Sequence, residues 1–167
     1  GVCKAYTTRV GSGPFPTELQ DKIGKRLQEE GDEFGATTGR PRRCGWLDLV
    51  ILRHAVRTNG LTGLVITKLD ILSGLEKLEI CNAYRWRGKI FREMPASVHI
   101  LSDCEPVYEE ADGWKEGISS ARNLKDLPSA ARGYLRRVEE AAGVPLIMVS
   151  VGPSREANIV LKDPFHS

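Results

Sequence analysis

The 167-residue sequence carries 24 Lys and Arg residues against 22 Asp and Glu residues, a formal charge of +2, and 41% of its residues are hydrophobic. This length supports one ordinary globular core with room for a smaller lobe, and the near balance of charge argues against a broad polyanion-binding surface. No apolar run reaches the roughly 20 residues of a bilayer-spanning helix, and the four cysteines form no Cys-x-x-Cys pair, so we expect a soluble cytoplasmic protein with reduced thiols and without a zinc site or a disulfide framework.

The first third of the chain predicts a strand, a shaped loop and a helix. Residues 2–8 are strand-like, and the glycines and prolines of residues 9–16 exclude a regular element. A helix is predicted from Thr17, because Thr17 and Gln20 stand at the spacing of a capping box and apolar residues then repeat at helical intervals. It is expected to stop at residues 29–31.

A polar loop and further elements follow in alternation. Residues 33–45 are poor in apolar residues and predict a loop, whereas residues 47–56 carry an apolar helical face that ends at Asn59 and Gly60. Residues 63–67 form a continuous apolar run typical of a strand buried on both faces. Residues 78–86 predict another strand, and residues 87–93 a hairpin partner for it.

The last third predicts a helix followed by a buried strand. Residues 127–142 place apolar side chains on one helical face, and Gly143 to Pro145 end the helix before the apolar run of residues 146–151. Helices and apolar strands therefore alternate along a chain without internal repeats. This alternation predicts an α/β fold.

The end of the first buried strand is a candidate for guanine recognition. Ligands of open α/β sheets bind at the carboxyl ends of strands, where Lys68, Leu69 and Asp70 follow residues 63–67. The Asp70 carboxylate can accept from the N1–H and N2 amino groups of guanine, and the Lys68 methylenes can lie along the ring. Because adenine offers no such pair of donors, this arrangement would select GTP. A solvated loop is the alternative interpretation of the same spacing.

The end of the second buried strand is a second guanine candidate. Ser150, Val151 and Gly152 stand there, and a glycine lets a backbone N–H approach the base oxygen closely. Taken alone, the segment is equally consistent with a simple turn.

Residues 36–43, Ala-Thr-Thr-Gly-Arg-Pro-Arg-Arg, form a candidate anion-binding loop. Pro41 biases Arg40 toward extended geometry, and residues two apart on an extended chain project to one side, so Arg40 and Arg42 can converge. Two guanidinium groups beside the hydroxyls of Thr37 and Thr38 and a flexible Gly39 suit a small dicarboxylate or phosphate. A solvated or nucleic-acid-facing patch is the alternative, although few aromatic residues interleave with the arginines.

The remaining motifs are weaker candidates for chemistry. His54, on the helix that follows Trp46, is interpreted as an ordinary surface or core histidine rather than a ligand, and His99 and His166 have no partner at metal-ligand spacing. Gly11 and Gly13 lack the third glycine of a dinucleotide-binding fingerprint, and no glycine-rich loop ending in Gly-Lys-Ser or Gly-Lys-Thr is present to cradle phosphates.

Four blocks, in their order along the chain, resemble the signature segments of the adenylosuccinate synthetase family. They are TTRVGSGPFPTE at residues 7–18, EFGATTGR at 33–40, GWLD at 45–48 and TKLD at 67–70. Shorter similarities at residues 106–109, 113–114, 143–145 and 152–153 extend the resemblance over essentially the whole chain. Pro41 stands where many relatives have a basic residue, and Val151 where threonine is common.

The resemblance implies a C-terminal region (residues 1–167) of a P-loop-NTPase-like fold, a mixed sheet with flanking helices. The implied reaction is GTP-dependent: GTP phosphorylates the 6-oxygen of IMP, and L-aspartate displaces the phosphate to give adenylosuccinate. Binding of aspartate and IMP is implied for Val10, Ala36, Thr37, Thr38, Gly39, Arg40 and Arg42. Binding of GTP is implied for Arg42, Lys68, Leu69, Asp70, Ser150, Val151 and Gly152.

The same resemblance places the phosphate loop, the catalytic Asp and His and the Mg²⁺ ligands in an N-terminal segment outside these residues. We therefore expect no catalytic or metal-binding residue here, an inactive isolated chain, and a homodimer for the complete enzyme. A module that binds a guanine nucleotide or an acidic amino acid without catalysis is the alternative.

Overall fold

Ten β-strands and four α-helices occur in residues 1–162, which are the residues that the computed structural model describes. The helices are α1 (Lys22–Glu30), α2 (Leu49–Asn59), α3 (Val98–Ser102) and α4 (Ser129–Ala142). The strands are β1 (Val2–Lys4), β2 (Thr7–Arg9), β3 (Arg43–Gly45), β4 (Leu47–Asp48), β5 (Leu64–Thr67), β6 (Leu75–Trp86), β7 (Lys89–Phe91), β8 (Glu105–Trp114), β9 (Leu146–Ser150) and β10 (Asn158–Val160). The predicted α/β class, with mixed sheets and helices, is confirmed.

The chain divides into two compact units. From its length alone, we predicted one main core with room for a smaller lobe. The first unit comprises Gly1–Ala5, Ala55–Leu78 and the described residues from Glu110 onward. The second unit comprises Tyr6–His54 and Glu79–Glu109.

The first unit contains a four-stranded sheet in the order β1-β5-β9-β10. Strands β1, β5 and β9 run parallel, and β10 is antiparallel to β9. Leu64 and Ile66 of β5 and Val149 of β9 are buried, as expected for central strands. The strands predicted at residues 63–67 and 146–151 are therefore confirmed, and β1 and β10 flank them.

Helix α4 confirms the apolar face predicted over residues 127–142. It begins at Ser129 rather than at residue 127 because Leu127 and Pro128 are extended. It ends at Gly143, whose φ of 69° is left-handed and suits glycine. The Tyr134 hydroxyl, which is buried, donates to the Ala5 carbonyl at 2.6 Å and ties the helix to the chain that leaves β1.

The opening strand predicted over residues 2–8 is wrong in its extent. Strand β1 ends at Lys4, and Thr7 starts β2, which pairs with β3 in an antiparallel two-stranded sheet of the second unit. The break falls at Ala5 and Tyr6, two consecutive buried residues with different attachments. The Ala5 N–H donates to the Thr67 carbonyl, whereas the Tyr6 hydroxyl donates to Glu33.

The predicted start of α1 is also wrong. Asp21, not Thr17, caps this helix by accepting from the N–H groups of Ile23 and Gly24. Thr17 lies in a turn instead, and its carbonyl accepts from the Trp46 N–H, next to a β-bridge between Glu18 and Gly45. Pairing with the chain around β3 thus prevails over the local capping pattern.

The second unit packs a hydrophobic cluster beside a sheet. Strand β4 is parallel to β6, and β6 forms the predicted hairpin with β7, with Arg85 opposite Ile90. The cluster consists of Val50, Cys81, Tyr84, Leu101 and Cys104. All four cysteines of the chain are free thiols, three of them buried. Within residues 1–162, every helix is too short or too polar to cross a bilayer.

Candidate nucleotide and substrate sites

The two segments proposed for guanine lie at the same edge of the parallel sheet. Strands β5 and β9 are hydrogen-bonded neighbours, with Ile66 opposite Val149. Their carboxyl ends therefore meet, and residues 68–70 and 150–152 follow directly from them. The structure thus brings together two segments that lie 80 residues apart in the sequence, counted from residue 70 to residue 150.

Backbone geometry fixes the first of these segments. Lys68 adopts a left-handed conformation with φ of 59°, and a 3₁₀ turn over Leu69–Leu72 follows it. Left-handed geometry is uncommon for a residue other than glycine, and such positions concentrate at functional sites. Leu69 is fully buried and anchors the turn. The next residue, Asp70, is only partly buried.

The Asp70 carboxyl is partly shielded from solvent. Burial raises its pKa above the ordinary value, and this effect is opposed by a hydrogen bond from its own backbone N–H and by the charge of Lys68. A partly desolvated carboxylate gains from additional hydrogen-bond donors. Asp70 is therefore suited to accept the paired donors of a guanine edge.

The second segment is a tight turn after β9. The Val151 N–H donates to the Ala157 carbonyl at 2.8 Å, and the Ser150 hydroxyl donates to the Gly152 carbonyl at 3.1 Å. A Cβ atom at Gly152 would lie 3.1 Å from the Ala157 Cβ, closer than ordinary packing distance. Glycine thus lets the turn fold close to the chain that enters β10.

The loop of residues 33–43 in the second unit is closed by backbone hydrogen bonds. The Gly35 N–H donates to the Arg40 carbonyl at 2.9 Å, and the Arg42 N–H donates to the Glu33 carbonyl at 2.8 Å. Phe34 and Pro41 form an antiparallel bridge between these bonds. The loop predicted at residues 33–45 thus has an ordered base and gives way to β3 at Arg43.

The tip of this loop presents its polar groups to solvent. Ala36, Thr37, Thr38, Gly39 and Arg40 are exposed. Gly39 has φ of 64° and the Arg40 N–H donates to the Thr38 hydroxyl oxygen at 3.3 Å, so the tip turns sharply. Hydroxyl groups and one guanidinium are therefore available on the surface of a single short turn.

Arg40 and Arg42 have different surroundings. The Arg40 side chain is exposed, whereas the Arg42 guanidinium donates to the Glu33 carboxylate at 2.9 Å and its side chain is 29% exposed. Each guanidinium has five N–H donors, so Arg42 retains donors beyond this bond. Their convergence on one anion stays a prediction.

Arg43 shapes the glycine-rich loop that carries Val10. Its guanidinium binds both carboxylate oxygens of Glu18, at 2.7 and 2.6 Å, and donates to the carbonyls of Gly11 and Gly13. It also lies over the Phe15 ring, 5.4 Å from the centroid. Val10 itself is exposed at the start of this loop.

Sequence reasoning missed the residues that hold these loops: Tyr6, Glu18, Glu33 and Arg43. Glu33 and Arg42 flank the polar loop almost symmetrically, which is one signal that they could pair. Nothing in the spacing indicated that Glu18 would meet Arg43, because the two are 25 residues apart.

The described residues offer no metal centre. Among residues 1–162, no three His, Cys, Asp or Glu side chains are grouped so that they could hold an ion. His166 lies outside the described residues.

A family model described as adenylosuccinate synthetase matches residues 1–159. Adenylosuccinate synthetases from Moorella thermoacetica and Syntrophus aciditrophicus are 60% and 61% identical over 165 and 168 residues, covering 99% and 100% of this chain and 39% of each relative. The structure of fully ligated adenylosuccinate synthetase from Plasmodium falciparum superposes with a TM-score of 0.92 at 41% identity, covering 96% of this chain and 39% of that one.

The chain thus spans about two fifths of the length of the relatives it matches. The family model covers nearly all of the chain, and the relatives align with it from end to end. This chain therefore belongs to the adenylosuccinate synthetase family, as its sequence motifs predicted.

Proposed function

We propose that this chain is the part of a GTP-dependent carbon–nitrogen ligase that recognises guanine and aspartate, in an enzyme that converts IMP and L-aspartate to adenylosuccinate. In the overall reaction GTP donates its γ-phosphoryl group to the 6-oxygen of IMP. The aspartate amine then forms a bond to C6 as the C6–O bond breaks, releasing phosphate and a proton and leaving GDP. The family assignment supports the reaction, and the geometry of the residues supports their division of labour.

The observation that carries the guanine assignment is the pairing of β5 with β9, which brings residues 68–70 and 150–152 to one sheet edge. Asp70 would accept from the N1–H and N2 amino groups of the base. The Lys68 stem and Leu69 would support the ring, and Ser150, Val151 and Gly152 would border its far edge. Adenine lacks this donor pair, so the site would prefer GTP to ATP.

Aspartate would bind at the exposed tip of the loop of residues 33–43. Thr37, Thr38 and the backbone of Ala36 and Gly39 offer donors, and the guanidinium groups of Arg40 and Arg42 offer charge-assisted hydrogen bonds to the two carboxylates. We place Arg42 near GTP as well, and Val10 at the wall of the IMP pocket.

Mg²⁺ does not fit residues 1–162, because no group of three carboxylate, histidine or cysteine side chains among them could coordinate it. Its ligands, the phosphate-binding loop and the catalytic acid and base would belong to the part of the enzyme outside this chain. The complete enzyme would act as a cytoplasmic homodimer.

A graft tests the proposal directly. This chain replaces the matching 165 residues of the Moorella thermoacetica relative, and adenylosuccinate formation is measured with IMP, aspartate and either GTP or ATP. We expect product with GTP and little with ATP. A folded graft that binds guanine nucleotide and makes no adenylosuccinate would favour the non-catalytic binding module instead.

Replacing Asp70 in this grafted enzyme tests the guanine assignment. Asp70→Ala should remove most of the preference for GTP over ATP, because each lost charge-assisted hydrogen bond costs about 1.5–3 kcal/mol. Asp103→Ala, at an exposed carboxylate of the second unit, is the matched control and should keep the preference. An unchanged preference in Asp70→Ala would contradict the assignment.

A further inference from the structure

A buried carboxylate lies at the base of the loop that carries the proposed aspartate-binding residues. The Glu33 side chain has an exposed fraction of 0%, although it stands at the end of a surface loop. Acidic side chains are seldom fully buried unless they are paired. Glu33 is therefore expected to have a partner that offsets the free-energy cost of removing its carboxylate from water.

That partner is Arg42, which is held at three points. Its guanidinium Nη1 donates to Glu33 Oε2 at 2.9 Å, its backbone N–H donates to the Glu33 carbonyl at 2.8 Å, and its own carbonyl accepts from Gln28 Nε2 at 2.6 Å. Both the backbone and the side chain of Arg42 are thereby fixed. A free arginine side chain would instead sample many rotamers.

The Glu33 carboxylate is itself oriented from its other side. The Tyr6 hydroxyl, also buried, donates to Glu33 Oε1 at 2.7 Å. A Cβ atom at Gly31 would lie 2.1 Å from this hydroxyl, so only glycine leaves Tyr6 the room it occupies. One carboxylate oxygen is thus committed to Tyr6, and the other faces Arg42.

We propose that Glu33 is a positioning residue that acts through Arg42: it holds the guanidinium in a binding-ready orientation and so determines the affinity for the aspartate substrate. The inference rests on the proposed function of the loop. Glu33 cannot touch a substrate because it is fully buried, whereas Arg42 remains 29% exposed. Preorganising Arg42 during folding removes the entropic cost of ordering it on binding.

Kinetics of the grafted enzyme test this role. Glu33→Gln keeps the shape of the side chain and removes its charge, so Arg42 loses its fixed orientation. We expect the KM for aspartate to rise roughly 10- to 100-fold, with kcat and the KM for IMP changed less than about threefold. Glu29→Gln, at an exposed glutamate of α1 paired only loosely with Lys25, is the control and should leave all three constants unchanged.

A double variant separates positioning from a general structural effect. In an Arg42→Met background, Glu33→Gln should change the KM for aspartate less than about twofold, because the residue through which Glu33 acts is gone. Additive effects in the two backgrounds would overturn the proposal. An equal rise in the KM for aspartate and the KM for IMP in Glu33→Gln would overturn it too.

Tyr6→Phe keeps the test decisive if Glu33→Gln fails to fold. This variant removes one hydroxyl and leaves both charges in place. A smaller rise in the KM for aspartate is expected with the KM for IMP unchanged, and an equal rise in both KM values counts against the proposal. The two proposals fail in different ways. An unmodified graft that folds without making adenylosuccinate refutes the proposed function, whereas an active graft with an unaltered aspartate KM in Glu33→Gln refutes only the role of Glu33.

Discussion

Three arginines within four positions perform three different tasks. Arg40 is exposed at the tip of a turn, Arg42 is paired with the buried Glu33, and Arg43 binds Glu18 and two loop carbonyls. Their residue type is the same, and burial and partner decide what each can do. Only the exposed Arg40 has its charge fully presented to solvent and so to a ligand.

Arg40→Leu in the grafted enzyme should therefore impair aspartate use far more than its folding. Loss of a charged hydrogen bond to substrate is worth about 2–4 kcal/mol, or roughly a 30-fold or greater fall in kcat/KM for aspartate. Steady-state kinetics at varied aspartate measure this. Arg136→Leu, at an exposed arginine of α4, is the matched control, and equal losses in the two variants would contradict the role of Arg40.

At this scale, the sequence can propose residues whose place in the fold follows from their position along one element. Lys68 and Asp70 could be singled out because an apolar run ends directly before them. Glu18, Tyr6 and Glu33 could not, since each acquires its role from a partner brought close by the tertiary fold. Their charge or hydroxyl is as common in the sequence as that of any surface residue.

At the scale of elements, strands and helices with long, regular apolar patterns were predicted well. Strands β5 and β9 and helices α2 and α4 fall within a few residues of the expected ranges. Strand β8, α3 and β10 were not predicted. In β8 nine of ten residues are partly or fully exposed, so no apolar alternation marks it.

Helices α1 and α2 each begin after an aspartate, and the two aspartates have different surroundings. Replacing them should therefore lower the free energy of unfolding by different amounts. Asp48 is buried, accepts from the N–H groups of Val50 and Ile51, and also accepts from the Tyr84 hydroxyl. Asp21 is exposed, and its carboxylate accepts the capping bonds from the N–H groups of Ile23 and Gly24 that start α1. We expect Asp21→Ala to cost about 1 kcal/mol of unfolding free energy, and Asp48→Ala about 3 kcal/mol or more.

Urea denaturation of the two variants and of the unmodified chain measures both values. The larger cost at Asp48 has a stated cause, since alanine there leaves the Tyr84 hydroxyl buried without its acceptor. Tyr84→Phe removes that hydroxyl as well. A double variant Asp48→Ala/Tyr84→Phe that is no more stable than Asp48→Ala would contradict this explanation.

The Glu18–Arg43 pair predicts a pH dependence of stability. The hydrogen bond from Arg43 holds the pKa of the Glu18 carboxyl below its ordinary value. A carboxyl with a depressed folded pKa stabilises the fold fully above its unfolded pKa, near 4.3, and loses that contribution as the pH falls through the folded value. The fold of residues 11–16 should therefore weaken on acidification.

Glu18→Gln should lower the free energy of unfolding at pH 7 by about 1–2 kcal/mol, because the pair is bidentate and only partly exposed. The difference from the unmodified chain should shrink as the pH approaches about 3. Denaturation curves at the two pH values measure it. Glu30→Gln, which removes a more exposed pair with Arg26 on α1, is the control and should lower the free energy of unfolding by less than about 0.5 kcal/mol. An effect of Glu18→Gln that does not change with pH would count against the ion pair as its cause.

At the scale of the whole molecule, the two candidate sites belong to different units. The proposed guanine residues stand on the parallel sheet of the first unit, and the loop of residues 33–43 stands on the second. The units are interleaved in sequence, since the first is built from three segments and the second from two. Helical and strand periodicity carries no information on this division, because it results from contacts between distant segments.

This division predicts that the isolated chain recognises guanine without catalysing the reaction. The proposed guanine-binding residues all lie within one unit and depend on the pairing of β5 with β9, whereas residues 1–162 contain no group of three His, Cys, Asp or Glu side chains that could hold a metal ion. NMR titration of the chain with guanosine should shift the amide signals of residues 68–70 and 150–152, and adenosine should shift them much less. An incubation with IMP, aspartate, GTP and Mg²⁺ should yield no adenylosuccinate. Equal shifts with both nucleosides would contradict the placement of the guanine site, and product formation by the chain alone would show that it contains catalytic groups that its described residues do not reveal.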